Sequence, residues 1–264
     1  MSDVHANASA LKAVLADIQA KGITRILCLG DTVGYGPDPL ECVDLVRQHC
    51  AWSLMGNHDY GVLYEPTSFN PTAESAAFWT REQFDKEPDE KKRAERYEFL
   101  NKLRVRVVEY VGANGAEPGV GPNPTGHHLL AVHGSPRRPI NEYIFPGDAS
   151  DNPDKLESIF DRVTKLCVVG HTHQPGVFTS EPDFYPPDEL GEHGYKFMDG
   201  EKAVINVGSV GQPRDEDPRA SYVILHHDHV EFCRVAYDIE ATAAKIKAIP
   251  QLGSWLAERL FLGR

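Results

Sequence analysis

Four times along this chain an apolar run ends at or beside a glycine and leads directly into side chains that can bind a metal or move a proton. "ILCLGD" ends at Asp31, "SLMGNHD" at Asn57, His58 and Asp59, "LLAVHG" at His133, and "CVVGHTH" at His171 and His173. Short, nearly continuous apolar runs read as strands buried on both faces, as in parallel sheets covered by helices. In open α/β sheets, ligands bind beyond the carboxyl ends of such strands. Strand ends are also rigid, which a preorganised site requires. One such run says little, but four constrain both the fold class and the location of the chemistry.

The segments between these runs agree. "NASALKAVLADIQAKG" places Leu11, Val14, Leu15 and Ile18 at helical spacing, with Asn7 or Ser9 to cap its start and Gly22 to end it. "PDPLECVDLVRQHC" reads as a helix with Pro39 in its first turn. The first sixty residues therefore alternate helix and strand. The stretch 72–103 is charged, carries Phe78, Trp79, Phe84, Tyr97 and Phe99, and reads as a pair of helices. "RVRVVEYV" and "HHLLAVHG" are strands, separated by the Gly- and Pro-rich loop "GANGAEPGVGPNPTG". "PGVFTS", "KAVINVGS", "SYVILHH" and "HVEFCRVAY" make the second half richer in strands. Helices are expected near 238–248 and 253–261, and a long loop at 181–195.

A net charge of −12 argues against non-specific binding to nucleic acid or to an anionic membrane, both of which need a basic field. No apolar run reaches the ~18 residues of a membrane span, and no leader pattern is present. The cysteines at 28, 42, 50, 167 and 233 form no C-x-x-C pair. Buried, reduced thiols in a cytoplasmic protein are the expectation.

The donors limit the metal. Asp, Asn and His without thiolate suit borderline divalent ions such as Mn, Fe, Co, Ni or Zn. Asp3, His5, Asp31, Asn57, His133, His171 and His173 are too many for one tetrahedral ion. They fit two ions ~3.5–4 Å apart that share a carboxylate. Such a cluster supplies the local positive charge that an anionic substrate would need in so acidic a chain.

"SDVHAN", "GDTVGYG", "GNHD", "HGS" and "GHTH" occur in this order. Together they resemble the five blocks of the calcineurin-like metallophosphoesterases. The likeness spans about residues 2–225 and is greatest to the small bacterial and archaeal phosphodiesterase branch, where "GDTVGYGPDPLECV" and "INVGSVGQPRD" have counterparts. The resemblance implies a four-layer α/β/β/α sandwich of two mixed sheets, as a single domain over 1–264 with a helical insertion at about 72–103. It implies that Asp3, His5 and His173 bind a first metal, that Asp31 bridges, and that Asn57, His133 and His171 complete a second. His58 would act as general acid or hydrogen-bond a phosphoryl oxygen, with Asp59 orienting its ring. The implied activity is hydrolysis of a phosphate ester, a diester before a monoester, by attack of a metal-bridging hydroxide. The expected cofactors are two divalent transition-metal ions, manganese first and Fe, Zn, Ni or Co as alternatives. The expected partner is a small phosphorylated substrate. Rival readings are a protein phosphatase, a dinucleoside polyphosphate hydrolase, a mononuclear regulatory metal-binding module, and a non-catalytic scaffold on the same fold. Scaffold relatives lack the His of G-N-H-D, which this chain keeps as His58.

Other residues have plainer readings. Ser209 and Arg214 in "GSVGQPRD" either reach substrate phosphate or build a turn. His226, His227 and His229 fall between two expected strands and read as a solvated hairpin turn. His127 and His128 read as a strand start. "EPDEKKRAER" reads as an exposed, ion-paired helix face. The Phe78–Trp79 pair reads as core.

Asp3 and His5 are the exception to the strand-end pattern. In the resembling family this pair follows a strand of about five apolar residues, and here only Met1 and Ser2 precede it. The expectation is a natural start several residues upstream. For the chain as given, it is unpaired backbone in the neighbouring strands, a frayed Asp3–His5 pair and weaker binding of the first metal.

Overall fold

The computed structural model describes residues 1–112, 126–191 and 193–264. The loop expected at 112–126 lies almost wholly outside them. Helices α1 (Ala8–Ala20) and α2 (Pro39–His49) alternate with strands β1 (Leu27–Cys28) and β2 (Trp52–Ser53). Helices α3 (Asn57–Leu63), α4 (Pro71–Asp85) and α5 (Glu90–Asn101) follow, then β3 (Arg106–Gly112) and β4 (Gly126–Val132). Next come α6 (Asp148–Asp151), α7 (Pro153–Phe160) and β5 (Leu166–Val169). Strands β6 (Gly176–Thr179), β7 (Asp183–Tyr185), β8 (Tyr195–Lys196), β9 (Ala203–Asn206), β10 (Ala220–Leu225) and β11 (His229–Val235) precede α8 (Ile239–Lys247) and α9 (Trp255–Leu262). The long loop expected at 181–195 thus contains β7 and a short 3-10 turn at Pro187–Glu189.

Among the described residues, one mixed sheet has six strands in the order β3-β4-β5-β9-β6-β7, with β4, β5 and β9 mutually parallel. Alternation along its central strands feeds two separate cores. Leu129, Ala131, Leu166, Val168, Ala203 and Ile205 face Leu29, Trp52, Leu54 and Val230 from the other strands. Leu130, Val132, Cys167, Val169 and Val204 face Leu156, Ile159 and Phe160 of α7. A period of two with both faces buried explains why these runs are apolar throughout. On the far side of β1, β10 and β11, Cys28, Ala220, Tyr222 and Cys233 pack against Leu11, Val14 and Ile18 of α1 and Val46 of α2. The β1-β2 pair and the β10-β11-β8 sheet thus pack on one face of the six-stranded sheet, and α7 packs on its other face.

The first five residues are not frayed, which corrects that expectation. Asp3 and His5 donate their N–H groups to Gly30 O at 3.0 Å and Asp31 O at 2.9 Å, and Leu29 N–H reaches Met1 O at 2.9 Å. On the other side Val210 and Gly211 donate to Ser2 O and Asp3 O at 3.0 and 2.9 Å. The segment is therefore a strand-like insert between residues 27–31 and 209–211, and Ser2, Asp3 and Val4 are fully buried. In line with Met1, a cavity of about 410 Å³ separates Thr24–Leu29 from Tyr222–Leu225. Ser221 N–H points away from β11 to Ser209 O, so by alternation the backbone of Val223 and Leu225 faces this cavity.

Elsewhere two expectations are refined. Trp79 is buried against α8 and α9, but its neighbour Phe78 is exposed. The helix face around Arg96 is not wholly solvated. Arg96 is buried and pairs with Asp44 of α2, at 2.6 Å, and with Glu87. The His226–His229 stretch is a turn, closed by His226 N–H to His229 O.

Candidate metal centre

Every strand-end donor comes to one place. Asp31 follows β1, Asn57 opens α3 just after β2, His133 follows β4, and His171 and His173 follow β5. The inserted segment 1–5 brings Asp3 and His5 alongside. Asp3, His5 and His173 form one cluster of mutually close donor atoms, and Asp31, His133 and His171 form another. In the first, His173 Nε2 lies 3.2 Å from Asp3 Oδ1 and 3.1 Å from His5 Nε2. In the second, His133 Nε2 lies 3.3 Å from Asp31 Oδ2, 3.2 Å from His171 Nδ1 and 3.3 Å from Asn57 Oδ1. Asp31 Oδ2 is also 3.8 Å from His5 Nε2, so it faces both clusters.

The donors are aimed by their outer contacts. His5, His133 and His173 have their Nδ1 atoms on the carbonyls of Val33, Leu29 and Gln212 at 3.3, 3.0 and 2.6 Å. This leaves each Nε2 facing inward, the arrangement that fixes a metal-binding imidazole. Asp31 Oδ1 accepts from His58 N–H at 2.8 Å, and Asp3 Oδ2 from His171 N–H at 3.0 Å. Asp3, His5, Asp31, His171 and His173 all have positive φ, between 47° and 67°. Non-glycine residues seldom adopt this region, and such strain concentrates at functional sites.

The buried polar atoms point to a cation. Asp3 Oδ1 and His171 Nε2 are buried without a hydrogen-bond partner. Burial, with repulsion from His173, pushes His5 down, burial with repulsion from His133 takes His171 to about 3, and burial with the nearby Arg214 charge lowers His173. Burial opposes ionisation of Asp3 and Asp31 too, but the facing histidines hold both carboxyls well below the usual range. Burial likewise lowers His133, but the Asp31 and Asp3 carboxylates override it and raise the group to about 9. Neutral imidazoles and ionised carboxylates are the forms that bind a cation, and His133 reaches its neutral form only when a cation takes over its pairing with Asp31 and Asp3. The residues present therefore fit a divalent metal group.

His58 is buried beside these donors, clustered with His5 and Asp31. Burial takes its pKa down to about 4. Its ring is held between Tyr35, at 4.3 Å centroid separation, and Phe69, at 4.7 Å. Gly34, with φ +89°, makes room for it, since a Cβ there would lie 2.3 Å from His58 Nδ1.

One expected role changes, and one open reading is resolved. Asp59 does not orient the His58 ring. Its carboxylate accepts from the backbone N–H groups of Thr32, Val33 and Gly56, at 2.9, 3.3 and 3.0 Å, and so ties the Asp31 turn to the start of α3. Burial and the Asp31 charge push it up to about 7. Ser209 is fully buried; its hydroxyl donates to Asp3 O and accepts from Gln212 N–H, each at 2.8 Å. It builds the turn that supports Asp3 and does not face a substrate. Arg214 lies at the rim, bonded to Gln212 Oε1 at 2.8 Å and 6.0 Å from the Tyr35 ring centre.

Two neighbours went unnoticed in the sequence. Tyr35 sits inside "GDTVGYG", a block that was itself a signal. Tyr143 stacks on His171 at 3.8 Å and 15°, from a loop with no pattern to mark it.

The sequence model of the calcineurin-like phosphoesterase superfamily domain matches residues 1–229, and the chain belongs to this superfamily. It is similar to the uncharacterized protein MJ0912 of Methanocaldococcus jannaschii, 38% identical over 270 residues, covering 100% of this chain and 97% of that one. Among solved structures it resembles a metallophosphoesterase from Sphaerobacter thermophilus, with a TM-score of 0.77 and 36% identity, covering 100% of this chain and 97% of the other. The hypothetical protein PH1004 of Pyrococcus horikoshii shares the fold, with a TM-score of 0.71 and 19% identity over the same shares of the two chains. The mixed α/β architecture is thus that of metallophosphoesterases, and membership implies a metal-dependent phosphoester hydrolase. No helix of the described residues is long and apolar enough to cross a membrane.

Proposed function

We propose that this protein hydrolyses a phosphate diester at a dinuclear metal centre, with manganese the first choice of ion. The observation that carries this reading is the position of Asp31 Oδ2, which faces both donor clusters. Asp3, His5 and His173 would hold one ion, Asn57, His133 and His171 the other, and Asp31 would be shared. Bound there, the ions would supply Lewis acidity toward the phosphoryl oxygens and an acidified water as nucleophile. His58, fixed by Tyr35 and Phe69 and kept neutral by burial, supplies a hydrogen bond on the leaving side through its one ring N–H. Arg214 at the rim offers a planar cation to a phosphoryl oxygen. Preference for a diester follows from the likeness to the small phosphodiesterase branch, and a cleft beside Asn57 leaves room for a second ester arm.

The expected outcome is hydrolysis of bis(p-nitrophenyl) phosphate with Mn²⁺ and its loss on chelation. His58→Ala should lower turnover by ~10²–10⁴ while metal content is kept. Full activity in that variant would remove His58 from the mechanism. Metal analysis giving one ion per active chain would overturn the dinuclear reading.

A further inference from the structure

The cleft beside Asn57 has a volume of about 390 Å³ and is lined by Tyr60, Glu65, Thr67, Phe69, Arg138 and Asn141, among others. It begins where the donor cluster ends, since Asn57 Oδ1 faces His133 and Phe69 packs against the His58 ring. A group departing toward His58 therefore enters this cleft. Its size is within the ~300–1,000 Å³ of small-molecule sites.

One wall is built stiffly. The loop after β4 is closed by Gly134 N–H to Pro139 O at 2.7 Å and Ser135 N–H to Arg138 O at 3.2 Å. The Ser135 hydroxyl accepts from the N–H groups of Arg137 and Arg138, both at 3.1 Å. The two adjacent arginines are used differently. Arg137 is tied to Glu142 at 2.6 Å, whereas Arg138 has no acidic partner among the described residues and lines the cleft. From the facing side α3 presents Tyr60, a tyrosine 38% exposed in a position where burial was available to its neighbours.

The lining selects a chemistry. Tyr60 and Phe69 offer π surface, Arg138 a planar guanidinium, and Asn141 and Thr67 hydrogen-bonding groups. A purely apolar occupant would leave those polar groups unpartnered. A polyphosphate would meet Glu65, which offsets the charge of Arg138. A neutral, planar heterocycle with hydrogen-bonding edges satisfies both. Resting on the phosphoesterase reading above, we propose that this cleft is the leaving-group subsite and takes the nucleoside half of a nucleotide ester.

The test uses adenosine 5′-monophosphate and ribose 5-phosphate as competitors against bis(p-nitrophenyl) phosphate in the Mn²⁺-loaded enzyme. The two share the phosphate and differ in the base. The nucleotide should bind roughly tenfold tighter, within the range of base stacking on an aromatic side chain. Tyr60→Ala and Arg138→Ala should each remove most of that difference and leave ribose 5-phosphate inhibition unchanged. Equal inhibition by both competitors in an active wild-type enzyme would overturn the subsite while leaving the phosphoesterase reading intact. If bis(p-nitrophenyl) phosphate is not hydrolysed with any metal, that reading fails first. Calorimetric titration of the same two compounds then decides the subsite by the same ratio, and equal affinities sink it.

Discussion

The two halves of the donor cluster are supported in different ways. His133 and His171 leave the ends of β4 and β5, adjacent parallel strands in the interior of the six-stranded sheet. Gly170 N–H to His133 O, at 2.9 Å, carries the pairing past the strand ends to the donors themselves. Asp3 and His5 rest on a segment of five residues, held by a few rungs to residues 27–31 and 209–211. Met1 also lines the 410 Å³ cavity. Both halves are buried, but the second ends a ladder inside the six-stranded sheet and the first is held at its two edges by a few backbone rungs. Equal burial therefore need not mean equal rigidity, because local opening follows the density of packed contacts around a segment.

The sharpest break in this comparison is the residue shared by both halves. Asp31→Asn keeps the size of the side chain but removes the charge that faces His5 and His133. Activity should fall by roughly 10³-fold or more, at the upper end for loss of one transition-state-stabilising group. Metal content should fall at both sites together. Loss of one ion with the other retained would mean Asp31 belongs to one half only. A smaller effect should separate the halves. A Cβ on Gly211 would lie 1.8 Å from Val4 O, so Gly211→Ala must push the inserted segment away. One equivalent of metal should be lost and the other kept, with activity down ~10–100-fold, the scale seen when support behind metal ligands is lost. Retention of two tightly bound ions would show that the first half does not depend on this packing.

Much of the second half was legible in the sequence, because each donor is contiguous with the apolar run that places it. His133 follows "LLAVH" directly, so a strand reading locates the residue as well. The first half was legible only as a pair of donors. Its supports, Ser209 and Gly211, are about two hundred positions away and act through backbone contacts with Asp3 and Val4. Nothing in a short N-terminal stretch reveals a partner at that distance, and the fraying expected there was wrong for that reason. Asp59 was misread for a related cause. Its neighbour in sequence is His58, but its partners are backbone N–H groups of another turn. The same holds for Arg96, whose helical pattern looked solvated until α2 brought Asp44 against it.

The smallest effect tests the cavity itself. Val223 lines it from β10, half-buried, and pairs across the strand with Phe232. Val223→Phe adds apolar volume where space exists, on a strand that favours aromatics and opposite an aromatic neighbour. If the cavity is slack in the folded protein, the substitution should stabilise it by up to about 1 kcal/mol, raising Tm by about 2–4 °C. The added ring would also pack into the cavity that Met1 lines, so chelator should strip the first ion more slowly than in the unsubstituted protein, with the second unaffected. A lower Tm would mean the space is already committed to the native packing and overfilled by a ring. A higher Tm with unchanged metal release would separate the two properties: the cavity would limit the stability of the fold but not the hold of Asp3 and His5 on their ion.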